Sequence, residues 1–333
     1  MNEENRSDSF DEYGFSDAIL KGIHEAGFRA PSPIQKKAIP LIMEGRDLIG
    51  RAQTGTGKTA AFGLPAMDRI HREGGALLVI TPTRELASQV SEELYKLGRY
   101  AGIKTVSVYG GQPINRQAEL INRGAQVVTA TPGRLLDHLR SGRIKRFRPT
   151  IVVLDEGDEM LDMGFINDIE MIFHLLPEKR QTMLFSATIP NEIKSLAERI
   201  LQDPVTVDVT PVNVTPEGIK QRYYVIQERE REAALIRLID AEVPHKALVF
   251  CRTKKETDQL STTLVSRGYS ARALHGDMSQ TERNRAINSF RKGDIDLLVA
   301  TDVAARGLDI TDVTHVFNYH IPFDPESYVH RIG

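Results

Sequence analysis

Short apolar runs rich in β-branched residues alternate along this chain with longer stretches whose apolar residues recur at helical spacing. Residues 76–80 (ALLVI), 126–130 (QVVTA), 151–155 (IVVLD) and 182–188 (TMLFSAT) read as buried strands, and 85–98 and 191–201 as helices. Uninterrupted apolar runs of this kind suit strands covered on both faces, as in parallel sheets built from βαβ units. The pattern then starts again with KALVFC (246–251), SARALHG (270–276), DLLVATD (296–302) and HVFNY (315–319). Between the two sets, VDVTPVNVTPEGIK (207–220) carries prolines and no helical period, which reads as a connector. The expectation is two α/β domains, residues 1–208 and 218–333, joined by a linker at 209–217.

Composition narrows the class. Of 333 residues, 41% are hydrophobic and 26% charged, as in soluble globular proteins. The single cysteine, Cys251, excludes an intrachain disulfide framework and favours a reducing compartment, the cytoplasm. Cys251 ends an apolar strand pattern and reads as a core thiol. The histidines show no metal-ligand spacing. No apolar run approaches the roughly 18 residues of a membrane span, and the acidic start MNEENRSDSFDE is unlike a signal peptide. A net charge of −2 directs any nucleic-acid binding to local patches and backbone amides. The basic run RSGRIKRFRP (140–149) reads as a solvated loop before the strand at 151.

Two motifs carry chemistry. AQTGTGKT (52–59) follows the strand pattern DLIG (47–50) and fits a Walker A loop, with Ala52 in place of the usual first glycine. Small residues let successive N–H groups curl around phosphate oxygens; a lysine then reaches the outer phosphates and a Ser/Thr hydroxyl meets Mg²⁺. In VVLDEGD (152–158) a buried strand runs straight into acids. In a P-loop fold an acid at the end of a neighbouring strand holds the nucleotide's Mg²⁺. Asp155 takes that role, and Glu156 orients the attacking water. Asp158 and Glu159 also suit the first turn of the helix that follows, where acids are favoured.

With these motifs the chain, over residues 10–333, resembles the DEAD-box RNA helicases of helicase superfamily 2. GFRAPSPIQ (27–35), with Phe10 upstream, is similar to the Q motif, AQTGTGKT to motif I, and PTRELA (82–87) to motif Ia. GG (110–111), TPGR (131–134), DEGD (155–158) and SAT (186–188) follow in the family's order. LVFCRT (248–253), HGD (275–277), QTER (280–283), ATDVAARGLDI (300–310) and YVHRIG (328–333) continue it. The resemblance implies two tandem RecA-like P-loop domains that would close together on ATP and single-stranded RNA.

It also implies roles residue by residue. Phe10 would stack on adenine and Gln35 would bond its edge. Thr54, Gly55, Thr56, Gly57, Lys58 and Thr59 would cradle the phosphates, Thr59 and Asp155 would hold Mg²⁺, and Asp309 would meet the ribose. Lys58, Asp155 and Glu156 would act in hydrolysis, with Ser186 and Thr188 linked to Asp158 to couple nucleotide state to closure. Pro82, Thr83, Arg84, Gly111, Thr131, Arg134, Thr253, Gly276, Gln280, Arg283 and Thr301 would lie along the RNA. Small and hydroxylated residues suit phosphate and 2′-hydroxyl contacts. Taken without the resemblance, Thr83 reads as a helix N-cap.

Two departures from the family pattern stand out. Gly157 replaces the alanine of Asp-Glu-Ala-Asp, which implies weaker coupling between ATP and RNA. The sequence given stops at Gly333, before the two arginine fingers of motif VI. The expectation is therefore part of a longer helicase with an incomplete second domain and impaired turnover. An ATP-gated RNA clamp or annealing module is the alternative, and a DNA translocase is disfavoured by the Q motif.

Overall fold

The structure, a computed structural model, describes residues 9–53, 55–209, 219–305, 310, 312–322 and 325–332. The chain divides into two compact units, Met1–Thr210 and Pro211–Gly333.

The first unit opens with α1 (Asp17–Glu25) and α2 (Pro33–Met43) before β1 (Leu48–Arg51) and α3 (Lys58–Glu73). Next come β2 (Leu77–Ile80), α4 (Arg84–Gly98), β3 (Thr105–Val108), α5 (Ile114–Asn122), β4 (Val127–Ala130) and α6 (Pro132–Arg140). β5 (Ile151–Asp155), α7 (Gly157–Asp162), α8 (Ile166–Leu175), β6 (Gln181–Ser186), α9 (Asn191–Ile200) and β7 (Val205–Asp208) complete it. The strands form one sheet in the order β3-β4-β2-β5-β6-β1-β7, every pair parallel. Val207 and Asp208, read from sequence as the start of the connector, belong to the sheet: β7 pairs with β1 in the register Gly50↔Val207 and Arg51↔Asp208.

The apolar runs follow from burial on both faces. Successive strand residues point to opposite sides, so Leu77, Val79, Ile151, Val153, Met183 and Phe185 enter one core. Their neighbours Leu78, Ile80, Val152, Leu154 and Leu184 enter the other.

The second unit contains α10 (Arg231–Glu242), β8 (Ala247–Cys251), α11 (Lys254–Ser266), β9 (Ala271–Leu274) and α12 (Gln280–Lys292). β10 (Leu297–Thr301), α13 (Asp302–Ala305), β11 (His315–Asn318) and α14 (Pro325–Ile332) follow. Its sheet is parallel, in the order β11-β8-β10-β9. Cys251 is fully buried as expected, and burial pushes its thiol pKa up to about 12. Among the described residues no helix is long and apolar enough to cross a membrane.

The basic run behaves only partly as a solvated loop. Its charged residues are exposed, but Ile144 and Phe147 turn inward, at 2% and 8% exposure.

Candidate nucleotide and nucleic-acid site

The loop between β1 and α3 is shaped by two glycines with left-handed backbone, Gly55 at φ 80° and Gly57 at φ 90°. Gly57 caps α3, and a Cβ there would lie 2.3 Å from Gln35 Nε2. Only glycine meets both demands. Thr56 Oγ1 donates to the Gln53 carbonyl at 2.7 Å. From α2, Ser32 Oγ donates to the Thr56 carbonyl at 2.7 Å and Gln35 Nε2 to that of Gly57 at 3.0 Å. Gln35 Oε1 accepts the Ser32 N–H at 2.8 Å. The first N–H groups of α3 have no intrahelical acceptor and lie at the positive end of the helix dipole, a ready anion site. Thr59 is its second residue and half-buried. Thr54 and Asp309 lie outside the described residues.

Lys58 Nζ stands 3.9 Å from Asp155 Oδ1, with both side chains almost fully buried. Neither atom has a hydrogen-bond partner. Burial pushes the Asp155 carboxyl above the usual carboxylate range, and the Lys58 ammonium pulls it back only in part. A buried cation and a buried carboxylate oxygen, both without hydrogen bonds, are costly unless a ligand completes them. Glu156 follows in left-handed conformation at φ 58° and ψ 57°, 6% exposed, and starts α7. Non-glycine residues hold that conformation at a cost of roughly 1–3 kcal/mol, and such strain clusters at functional sites.

The link from Asp158 to 186–188 is formed. Thr188 donates to Asp158 Oδ2 from its backbone N–H at 2.8 Å and its hydroxyl at 3.0 Å. The Asp158 N–H donates to Ser186 Oγ at 3.0 Å.

The aromatic residue is placed differently from the expectation. Phe10 is 2% exposed and part of the core, with its ring in an edge-to-face contact with Phe28 at 6.1 Å. Its ring offers no open face for adenine in this structure. Phe28, only half-buried, lies within GFRAPSPIQ itself and was missed as a candidate. The aromatic four residues before Ser32 was the available signal.

Residues expected on RNA gather at one edge of each sheet. Pro82–Arg84, Gly111 and Thr131 follow the carboxyl ends of β2, β3 and β4, three adjacent strands. Thr83 Oγ1 accepts the Leu86 N–H at 3.2 Å, the N-cap that its residue type predicts. Arg134 donates to the Gln112 carbonyl at 2.8 Å and to Gln117 Oε1 at 3.0 Å. In the second unit Thr253, Gly276 and Thr301 lie at the carboxyl ends of β8, β9 and β10. Thr253 caps α11 by accepting the Glu256 N–H. Gln280 opens α12, and Arg283 donates to the His275 carbonyl at 3.5 Å. The first sheet's edge is thereby partitioned: β1, β5 and β6 carry the nucleotide candidates, and β2, β3 and β4 the RNA candidates.

Comparison with known proteins decides the family. Residues 32–196 match the DEAD/DEAH box helicase family profile and residues 230–333 the helicase conserved C-terminal domain. The chain belongs to the DEAD/DEAH box helicase family. Among relatives of this DEAD/DEAH box helicase, the DEAD-box ATP-dependent RNA helicase RhpA of Helicobacter pylori is 56% identical over 98% of the chain, which spans 66% of that protein. The DEAD-box ATP-dependent RNA helicase CshA of Geobacillus kaustophilus is 49% identical, with 70% of its length covered. The structure of S. cerevisiae Dbp5 bound to RNA and ADP BeF3 superposes with a TM-score of 0.86 at 33% identity, covering 98% of this chain and 85% of that one. A DEAD box protein from Methanococcus jannaschii gives 0.59 at 40% identity, covering 98% and 89%. Both sheets of this DEAD/DEAH box helicase thus have the RecA-like architecture expected.

Proposed function

We propose that this chain is the core of an ATP-dependent RNA helicase that binds single-stranded RNA by its backbone and separates short duplexes. The observation that carries the nucleotide half is the buried Lys58–Asp155 pair, whose Nζ and Oδ1 lack hydrogen bonds. A triphosphate fits the lysine, and a divalent cation fits the carboxylate. The protein offers few ligands of its own: among the described residues no cluster of three His, Cys, Asp or Glu side chains is placed to hold a metal. That suits Mg²⁺, which keeps waters and shares substrate phosphates. When bound, it would neutralise charge developing on the transferred phosphoryl. Asp155 and Thr59 would hold it, partly through water.

The chain's own residues then do the following. Gly55, Thr56, Gly57 and the first turn of α3 present N–H groups to phosphate oxygens, and Lys58 supplies the counter-charge. Glu156, fixed by its left-handed turn, orients the attacking water and accepts its proton. Asp158, held by Thr188 and Ser186, ties the hydrolytic strand β5 to β6. Gln35 braces the loop through Gly57 and has an amide hydrogen to spare for adenine; Phe28 offers the ring face. The threonines, glycines and arginines at the carboxyl ends of β2–β4 and β8–β10 bind phosphates and 2′-hydroxyls, which fix a strand without reading its sequence. The relatives named above as ATP-dependent RNA helicases, and the RNA-bound Dbp5, support this reading. The cytoplasm is the compartment it implies.

The test is phosphate release from ATP–Mg²⁺ with single-stranded RNA, with DNA of the same sequence, and with neither. Stimulation by RNA alone, abolished in Lys58→Ala and Glu156→Gln, is the expected result. Equal stimulation by DNA would overturn the RNA assignment. Tight ATP-dependent RNA binding without release would make the chain a clamp.

A further inference from the structure

Gln117 is a polar residue on the inward face of α5, buried together with Ala118 and Ile121. A buried amide is costly unless its polar groups find partners, and this one finds three. Its Nε2 donates to the Tyr109 carbonyl at 3.0 Å. Its Oε1 accepts from Arg134 Nη1 at 3.0 Å and lies 3.2 Å from His138 Nε2. A guanidinium only donates and a carbonyl only accepts, so the amide can face only this way. His138 Nε2 then carries the proton that fills the second lone pair of Oε1.

The consequence falls on Arg134, in the first turn of α6. Its Nη1 uses both hydrogens inward, one on Gln117 Oε1 and one on the Gln112 carbonyl at 2.8 Å. Its Nε meets Asp137 Oδ2 only loosely, at 3.7 Å, and that side chain is 64% exposed. Its Nη2 makes no hydrogen bond with the described residues. The guanidinium is thus fixed at one corner and open at another. A free arginine carries much rotamer freedom and loses it on gripping a ligand, whereas one already held loses less.

We propose that Gln117 is a positioning residue for RNA: it holds Arg134 by Nη1 and so presents Nη2, already ordered, to a backbone phosphate. Gln117 itself is buried and touches no RNA. The Tyr109 carbonyl and His138 keep its amide turned toward Arg134. That the phosphate belongs to RNA rests on the proposed function; the hold on Arg134 does not.

The experiment has two arms on the whole chain. In the first, without nucleotide or RNA, ¹⁵N relaxation follows the Arg134 Nε–H group. It is ordered in the native chain, mobile in Gln117→Met, and ordered again in Gln117→Glu, which still accepts from Arg134. In the second, the affinity for oligo-uridine is measured with a non-hydrolysable ATP analogue over a range of salt. Gln117→Met weakens binding about two- to tenfold with the salt slope unchanged, because every phosphate contact is still made. Arg134→Met weakens binding and lowers the slope by about 0.7, one phosphate on a single strand. In the Arg134→Met background Gln117→Met adds no further loss, whereas a residue that only supports the fold would add its own. An Arg134 as ordered in Gln117→Met as in the native chain, additive losses in the double variant, or a reduced slope in Gln117→Met would each overturn the proposal. A native chain with an ordered Arg134 that binds no oligo-uridine would instead overturn the RNA reading, and the proposal with it.

Discussion

Thr188 delivers two hydrogen bonds, one from its backbone and one from its hydroxyl, to the same carboxylate oxygen of Asp158. The strand that leads into the proposed hydrolytic acids is thus tied to the next strand through one side chain at the head of α7. Thr188→Val keeps the backbone bond and removes the hydroxyl's. A hydrogen bond to a charged group contributes about 1.5–3 kcal/mol, and roughly 1.4 kcal/mol corresponds to tenfold in rate. RNA-stimulated phosphate release should fall about tenfold or more, with ATP affinity in the absence of RNA unchanged. A parallel loss of ATP affinity would show that the pair supports the pocket rather than the coupling.

Gly157 is the first residue of α7 and buried. A Cβ there would meet Ile193 Cδ1 at 3.7 Å and Leu184 Cδ2 at 3.8 Å, ordinary van der Waals distances. Gly157→Ala should therefore stabilise the first unit by about 0.5–1 kcal/mol, visible as a higher denaturant midpoint. It should also raise RNA-stimulated turnover, since less backbone freedom separates Glu156 from Asp158. A gain in stability with unchanged turnover would separate the two effects.

His138 makes the first unit sensitive to acid. Burial, together with Arg134 and Arg143, lowers its pKa from 6.5 to about 4. Above pH 6.5 both folded and unfolded chains carry it neutral, and stability is at its full value. Between 6.5 and 4 the unfolded chain takes up a proton that the folded one refuses, so stability falls as pH falls. At 1.36 kcal/mol per pK unit the loss is on the order of 3 kcal/mol by pH 4. Urea midpoints across this range should fall in the native chain, and His138→Gln should flatten that part of the slope.

Arg331 anchors α14. Its Nε and Nη2 donate to the two carboxylate oxygens of Asp302 at 2.6 and 2.8 Å, and its Nη1 to Asn318 Oδ1 and the His320 carbonyl. The guanidinium also lies 4.8 Å from the centre of the Phe250 ring. Arg331 is buried while Asp302 is 31% exposed, so removing the guanidinium costs less than the roughly 3–5 kcal/mol of a fully buried pair. In Arg331→Ala, hydrogen exchange should accelerate in β8, β10 and β11 and remain unchanged in β1 to β7.

What could be read from sequence followed burial. The central strands β2, β4, β5, β6, β8 and β10 are built around apolar runs because both faces are covered, and each was located to within a residue or two. β3 and β7 were missed: Thr105–Val108 and Val205–Asp208 lie at the sheet's edges, half open to water, with no sustained apolar run. The phosphate loop and acids were legible because their chemistry demands residue types at fixed spacing. Gln35 bracing Gly57, and Phe28 rather than Phe10 holding the more open ring, depend on packing across α2 and the core, which spacing does not encode. The buried orientation of Ile144 and Phe147 was hidden by the charges between them.

The position of β1 has a consequence for synthesis. Its two neighbours are β6, residues 181–186, and β7, residues 205–208. A chain growing from its amino terminus therefore carries the phosphate loop for more than a hundred residues before either flanking strand exists. Domains fold as units during synthesis, and long-range parallel pairing is slow. The nascent protein stays unable to grip a nucleotide until the first unit is nearly complete, so a ribosome stalled before residue 181 would present the loop without its sheet.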